Sequence, residues 1–232
     1  MVIKVDQMGG KQSSNLSASI VATLKERIIH WQYPPEHRLT EAELCQKFGV
    51  SRSPVREALR TLVTDGFVKK MPNRGYAVKQ YNLREIEELY EVRLALELFV
   101  VECLAKRGTP KKDDIDALKR TWTSLLNGPS KKDEDLARLD TLFHETLAQA
   151  VGNKSLLRQL RVINERLLIF RMIDFGKAHR IESTCHQHLD ILKRIAAKDI
   201  SGARKAMQRN INEGRNNVHS VIKDALARAY SV

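Results

Sequence analysis

The 232-residue sequence predicts a mainly α protein, with a small winged helix-turn-helix over residues 1–80 and an all-α antiparallel helical bundle over residues 81–232. Three observations carry that expectation. Two short capped helical segments meet at the turn in "KFGVSRSP". A basic hairpin pattern, "FVKKMPNRGYAVKQ", follows directly. From Asn82 onward the apolar residues recur at helical spacing almost to the end, with Gly, Pro and Asn marking the breaks.

Taken in order, residues 1–14 show no apolar period and read as a loose tail. "SASIVATLKERIIHW" sets Ile20, Leu24, Ile28 and Trp31 on one helical face before the breaker pair Pro34-Pro35. Thr40, with Glu43 three residues on, forms a capping box that opens a short helix ending near Phe48, and Gly49 supplies the turn. Ser51 is placed to cap a second helix running to about Asp65, before Gly66. Two short strands around "PNRG" complete the unit. Bundle helices are expected near 82–107, 111–127, 131–151, 154–175, 180–198 and 200–230.

Composition narrows the function classes. Hydrophobic residues make up 42% and charged residues 29%, as in ordinary globular proteins. No run of 18 apolar residues could span a bilayer, and the window "LALELFVVECLA" is interrupted by Glu97 and Glu102. The expectation is a cytoplasmic protein with no membrane partner. Three scattered cysteines without a CxxC pair support neither a disulfide framework nor a zinc knuckle. Net charge is +12, and residues 1–80 hold 13 Lys and Arg against 7 Asp and Glu, twice the basic excess per residue of the remainder. A polyanionic partner follows from that asymmetry.

The second helix of a helix-turn-helix enters the major groove with its first turns against base edges. Here those turns carry Ser51, Arg52, Ser53, Pro54 and Arg56. Arginine presents a planar fork to guanine O6 and N7, the serines are short hydrogen-bonding groups, and Pro54 has no N–H to lose in a first turn. Val55, Ala58, Leu59 and Leu62 lie on the opposite face and are expected to pack inward. Arg60, one turn on, suits phosphate, and Asn73, Arg74 and Gly75 form a wing tip for backbone or minor groove.

With these residues in view, "RLTEAELCQKFGVSRSPVREALRTLVTDGFVKKMPNRGYAV" resembles the winged helix of GntR-family bacterial transcription regulators. "EIEELYEVRLALE", "LDTLFHETLAQAVGN" and "HLDILKRIAAKDISGARKAM" resemble the FCD effector domain of one branch of that family. The resemblance spans about residues 17–225. It implies a homodimer that binds a palindromic DNA operator, a repressor by expectation, and answers a small-molecule effector through its helical domain. It also implies DNA contacts at Arg52, Pro54, Arg56 and Arg74-Gly75.

A second constellation sits in the bundle. Asp140 and His144 are four apart and so share one helix face, while His188 and Asn210 lie on later helices. Carboxylate with imidazoles suits Zn, Ni or Mn, although an Asp/His pair at this spacing is also an ordinary helix salt bridge. The resemblance implies a metal site at Asp140, His144, His188 and the fourth position, where metal-binding relatives carry His and this chain has Asn210. Such a site recognises a small carboxylate, for which Arg93, Arg171 and His186 are candidate contacts. The competing reading is a metal-dependent hydrolase built on Asp140, His144 and His188; no GxSxG, HExxH or phosphate loop accompanies it. A non-specific nucleic-acid-binding protein is the third.

Overall fold

The computed structural model describes residues 7–72, 75–80, 82–108, 112–128, 132–177 and 179–230. The chain divides into two compact units, Met1–Tyr81 and Asn82–Val232.

The first unit is built on α1 (Gln7–Ile29), α2 (Glu41–Phe48) and α3 (Arg52–Thr64), with a small sheet. Ile20, Leu24 and Ile28 of α1 are buried, and α1 packs on α3. Helix α1 begins at Gln7, so the loose tail expected over residues 1–14 is helical over its second half. A helix already docked by its apolar face is a ready nucleus from which the helix can propagate without a new nucleation step. Trp31 lies past the helix end, with φ of 59°. Thr40 accepts the Glu43 backbone N–H at 3.2 Å, which starts α2 as expected. Gly49 ends it in the left-handed conformation at φ 64°, where a side chain would be strained. Ser51 precedes α3 in extended geometry but makes no side-chain cap hydrogen bond. Val55, Ala58, Leu59 and Leu62 form the inward face of α3.

The sheet holds β1 (Arg38–Leu39), β2 (Val68–Lys70) and β3 (Tyr76–Val78) in the order β1-β3-β2, both pairings antiparallel. Strand β1 was not expected: two residues carry no readable period and are extended only because β3 offers them a partner. The hairpin closes with Met71 N–H donating to Gly75 O at 3.0 Å. Asn73 and Arg74, expected at the wing tip, lie outside the described residues.

The second unit comprises α4 (Leu83–Arg107), α5 (Lys112–Asn127), α6 (Asp133–Val151), α7 (Lys154–Phe175), α8 (Arg180–Ala196) and α9 (Ile200–Tyr230). Asn82 caps α4 by accepting the Arg84 N–H at 3.0 Å. The α6–α7 connection is two residues long: Gly152 leaves α6 at φ 82°, and Asn153 accepts the N–H groups of Ser155 and Leu156 to start α7. That tight hairpin fixes α6 against α7. Helix α4 packs against α6, α7 and α9, and α8 packs against α5 and α9. The core includes Val101, Leu104, Trp122, Phe143, Leu160 and Met207. Charged and polar residues on α4, α6, α7 and α8 are buried with it.

Candidate functional site

On the first unit, Ser51, Arg52, Ser53, Arg56 and Arg60 are exposed along the outer side of α3. Arg52, Arg56, Arg60, Lys70 and Gly75 line an open cleft of about 900 Å³ between the helix pair and the hairpin. This side is mostly polar because Val55, Ala58, Leu59 and Leu62 point the other way, with Val63 the apolar exception that α3 contributes to the cleft. Arg56 is held there by Glu41, whose Oε2 accepts from Arg56 Nε at 2.8 Å, and this bond raises the guanidinium pKa. Pro54, for which the resemblance implies a DNA contact, is buried beside Val55 at the entry to α3 and does not line the cleft.

Inside the second unit, α6 carries Asp140 and His144 on its buried face, and α8 brings His188 to them. The Nε2 atoms of His144 and His188 stand 3.7 and 3.3 Å from Asp140 Oδ1, and one ligand atom from each residue lies within 4.8 Å of the other two. Around a tetrahedral metal bound at roughly 2.1 Å, ligand atoms stand about 3.4 Å apart. The spacing therefore fits a divalent ion. The donor atoms fit as well: His144 Nε2 and His188 Nε2 are buried without a hydrogen-bond partner. Such orphaned atoms are rare in folded proteins and mark a missing partner.

The surroundings fix these groups. Glu97 of α4 accepts from Arg93 Nε at 2.7 Å with one carboxylate oxygen and meets His144 Nδ1 with the other. Arg171 of α7 lies 3.4 Å from Asp140 Oδ2 and donates to Thr141 Oγ1 at 2.7 Å and Asn164 Oδ1 at 2.6 Å. The His188 ring stacks on Phe143 (centroids 3.7 Å apart, planes at 6°) and meets the edge of Trp122 at 4.2 Å. Trp122 and Phe143 are thus core residues and also the walls that hold His188.

Electrostatics follow from this burial. Burial opposes the charge of Asp140, but the two imidazoles and Arg171 outweigh it and hold the carboxyl well below its ordinary range. Glu97 is likewise opposed by burial and carried down to about 2 by His144 and Arg93. Burial pushes His188 to about 4 despite Asp140 beside it, leaving a neutral imidazole at pH 7. Burial and the neighbouring Arg93 lower Arg171 to about 10, still charged at neutral pH. Arg93 Nη2 and Arg171 Nε are buried donors without partners.

The sequence-predicted residues divide accordingly. Asp140, His144 and His188 come together, with Arg93 and Arg171 drawn into the same ionic cluster. Asn210 is buried on α9 and donates its amide N–H to Gln187 Oε1 at 2.9 Å, next in sequence to His188. His186 is exposed. Two residues from His188 it lies about 200° around α8, on the far side of the helix from the Asp140, His144 and His188 cluster. Glu97 went unrecognised. Its signal was present as an Arg93/Glu97 i,i+4 charged pair on an otherwise apolar helix face.

Residues 16–78 match the family described as bacterial regulatory proteins, gntR family, and residues 88–213 match the FCD domain. The chain belongs to the GntR family and carries an FCD domain. This GntR regulator is 28% identical over 203 residues to the HTH-type transcriptional regulator YdhC of Bacillus subtilis (strain 168), a match covering 87% of this chain and 90% of the relative. It is 27% identical to the gluconate operon transcriptional repressor of Bacillus licheniformis, over 87% of this chain and 84% of that one. Among solved structures, E. coli McbR/YncC superposes with a TM-score of 0.67 at 19% identity, covering 90% of this chain and 98% of that chain, a likeness of fold.

Proposed function

We propose that this transcriptional regulator is a ligand-responsive repressor that reads its operator through the first turns of α3. The observation that carries the proposal is the exposed row Arg52, Arg56 and Arg60 facing a cleft, on a helix whose opposite face is fully buried. Arg52 and Arg56 read base edges, Arg60 and the hairpin grip phosphate, and Ser51 and Ser53 add short contacts. One such helix spans few base pairs, so the active species is a homodimer on a palindromic operator. Val92 and Phe99, exposed and seven apart on α4, give the helical unit an apolar face for that contact. Acting on DNA, the protein works in the cytoplasm.

In this reading Asp140, His144 and His188 hold a divalent ion such as Zn, Ni or Mn, and Asn210 occupies the sequence position at which metal-binding relatives carry a fourth ligand. The bound ion supplies a Lewis-acidic position for a carboxylate. The orphaned donors of Arg93 and Arg171 support an anionic effector, because each is a buried charge with hydrogen-bonding capacity to spare. Effector binding shifts the population between conformations that differ in grip on DNA. The relatives are transcription regulators, which favours a sensor over a hydrolytic centre for the same three residues.

The test is fluorescence anisotropy on a duplex enriched by the protein from a random pool. Each of Arg52→Ala and Arg56→Ala is expected to weaken binding roughly 5- to 150-fold, the range of a lost bidentate base contact. Unchanged affinity in both variants sinks the proposal.

A further inference from the structure

We propose that Glu97 is the positioning residue of the buried cluster: it locks His144 in the Nδ1–H tautomer and so presents the Nε2 lone pair to Asp140 and His188. The inference rests on the metal-sensing reading above for its consequence, and on local geometry for its cause.

For a neutral His144 the geometry fixes one tautomer. Glu97 is 1% exposed, and its two oxygens serve two different donors, Arg93 Nε at 2.7 Å and His144 Nδ1. A carboxylate paired with a guanidinium only accepts, so a neutral His144 must carry its proton on Nδ1. Nε2 is then a lone pair, and it is the atom that is buried without a partner, 3.7 Å from Asp140 Oδ1. His188 offers the contrast. Both its ring nitrogens lack hydrogen-bond partners, and stacking on Phe143 fixes the plane of its ring without choosing a tautomer. One ligand is thus set electrostatically through α4, the other sterically from α5 and α6. A carboxylate behind a ligating imidazole also raises its basicity.

Glu97→Gln isolates the effect because it preserves shape. An amide has one accepting oxygen where the carboxylate has two. Its NH₂ must face either Arg93 Nε, donor against donor, or His144 Nδ1, which then becomes an acceptor and sends its proton to Nε2. Either outcome loosens or closes the ligand position.

Two measurements decide the matter. Long-range ¹H–¹⁵N spectra of the EDTA-dialysed full chain near neutral pH, with His144 assigned through His144→Gln, should show a protonated Nδ1 and an unprotonated Nε2. A proton on Nε2 overturns the proposal. Zinc titration of the wild type and Glu97→Gln should show affinity falling tenfold to a hundredfold in the variant. Equal affinities overturn the positioning role. A wild type that takes up no zinc removes the metal reading instead, and the tautomer measurement, made on metal-free wild type, still decides what Glu97 does. It also decides if the variant fails to fold.

Discussion

Replacing Asp140 with alanine tests whether the buried cluster is the ionic network described here. Asp140 is 5% exposed and Arg171 also 5%, with Asp140 Oδ2 3.4 Å from Arg171 Nη1. Removing the carboxylate leaves the guanidinium buried with only the neutral acceptors Thr141 and Asn164, and with its Nε already unpaired. Breaking a buried pair from one side costs roughly 3–5 kcal/mol. The two surviving hydrogen bonds put this case near the lower end, about 3 kcal/mol. At roughly 2–4 °C per kcal/mol for a domain of this size, the helical unit should melt about 6–12 °C lower. The assay is thermal unfolding by circular dichroism after dialysis against EDTA, since any bound ion would add its own stabilisation. The double variant Asp140→Ala/Arg171→Met should recover much of the loss, because it removes the stranded cation together with its partner. Asp140→Ala within about 1 kcal/mol of wild type refutes the claim that this pair is buried and coupled.

Two further outcomes follow from the same buried groups and the exposed face of α4. His188 sits near 4 in the folded chain against an ordinary 6.5, so the unfolded state takes up its proton first as pH falls. Stability of the metal-free protein is therefore full above about pH 6.5 and lost progressively down to about 4, by roughly 3 kcal/mol. Glu97 extends the loss from about 4.5 towards 2. Chemical denaturation at pH 7 and pH 5 checks this; equal stabilities contradict it, and His188→Gln should remove the upper part of the slope. Phe99→Glu, on the 48% exposed α4 position, should shift the protein from dimer to monomer in sedimentation velocity with its helical content intact. A dimer of unchanged stability places the contact elsewhere.

What the sequence made legible was whatever depends on neighbours within a few residues. The six bundle helices follow from an apolar period of 3.6 and from breaks such as Gly152-Asn153, and both signals are local. Thr40 and Gly49 delimited α2 because caps are chemistry at one end of one helix. Strand β1 escaped notice, since Arg38-Leu39 are extended only through pairing with Ala77 and Tyr76, nearly forty residues away. The DNA contact at Pro54 was implied by the family resemblance, and its position falls on the buried stripe of α3. Among the site residues, Asp140 and His144 declare their shared face by spacing, whereas nothing local brings His188 to them. Glu97 looked like an interruption in an apolar window. Its partner Arg93 is in sequence reach, but His144, which gives the pair its purpose, is 47 residues on and on another helix.

The measurement that bears most directly on the account is the ratio of affinities for the pool-enriched duplex and a scrambled duplex of equal length, taken at one fixed salt concentration. Reading of base edges by Arg52 and Arg56 predicts a ratio of about 10³ or more for the wild type, collapsing in the double variant Arg52→Ala/Arg56→Ala while weak non-specific binding persists. A wild-type ratio near one, with affinity set by salt alone, would contradict it and leave only a basic surface that attracts DNA of any sequence.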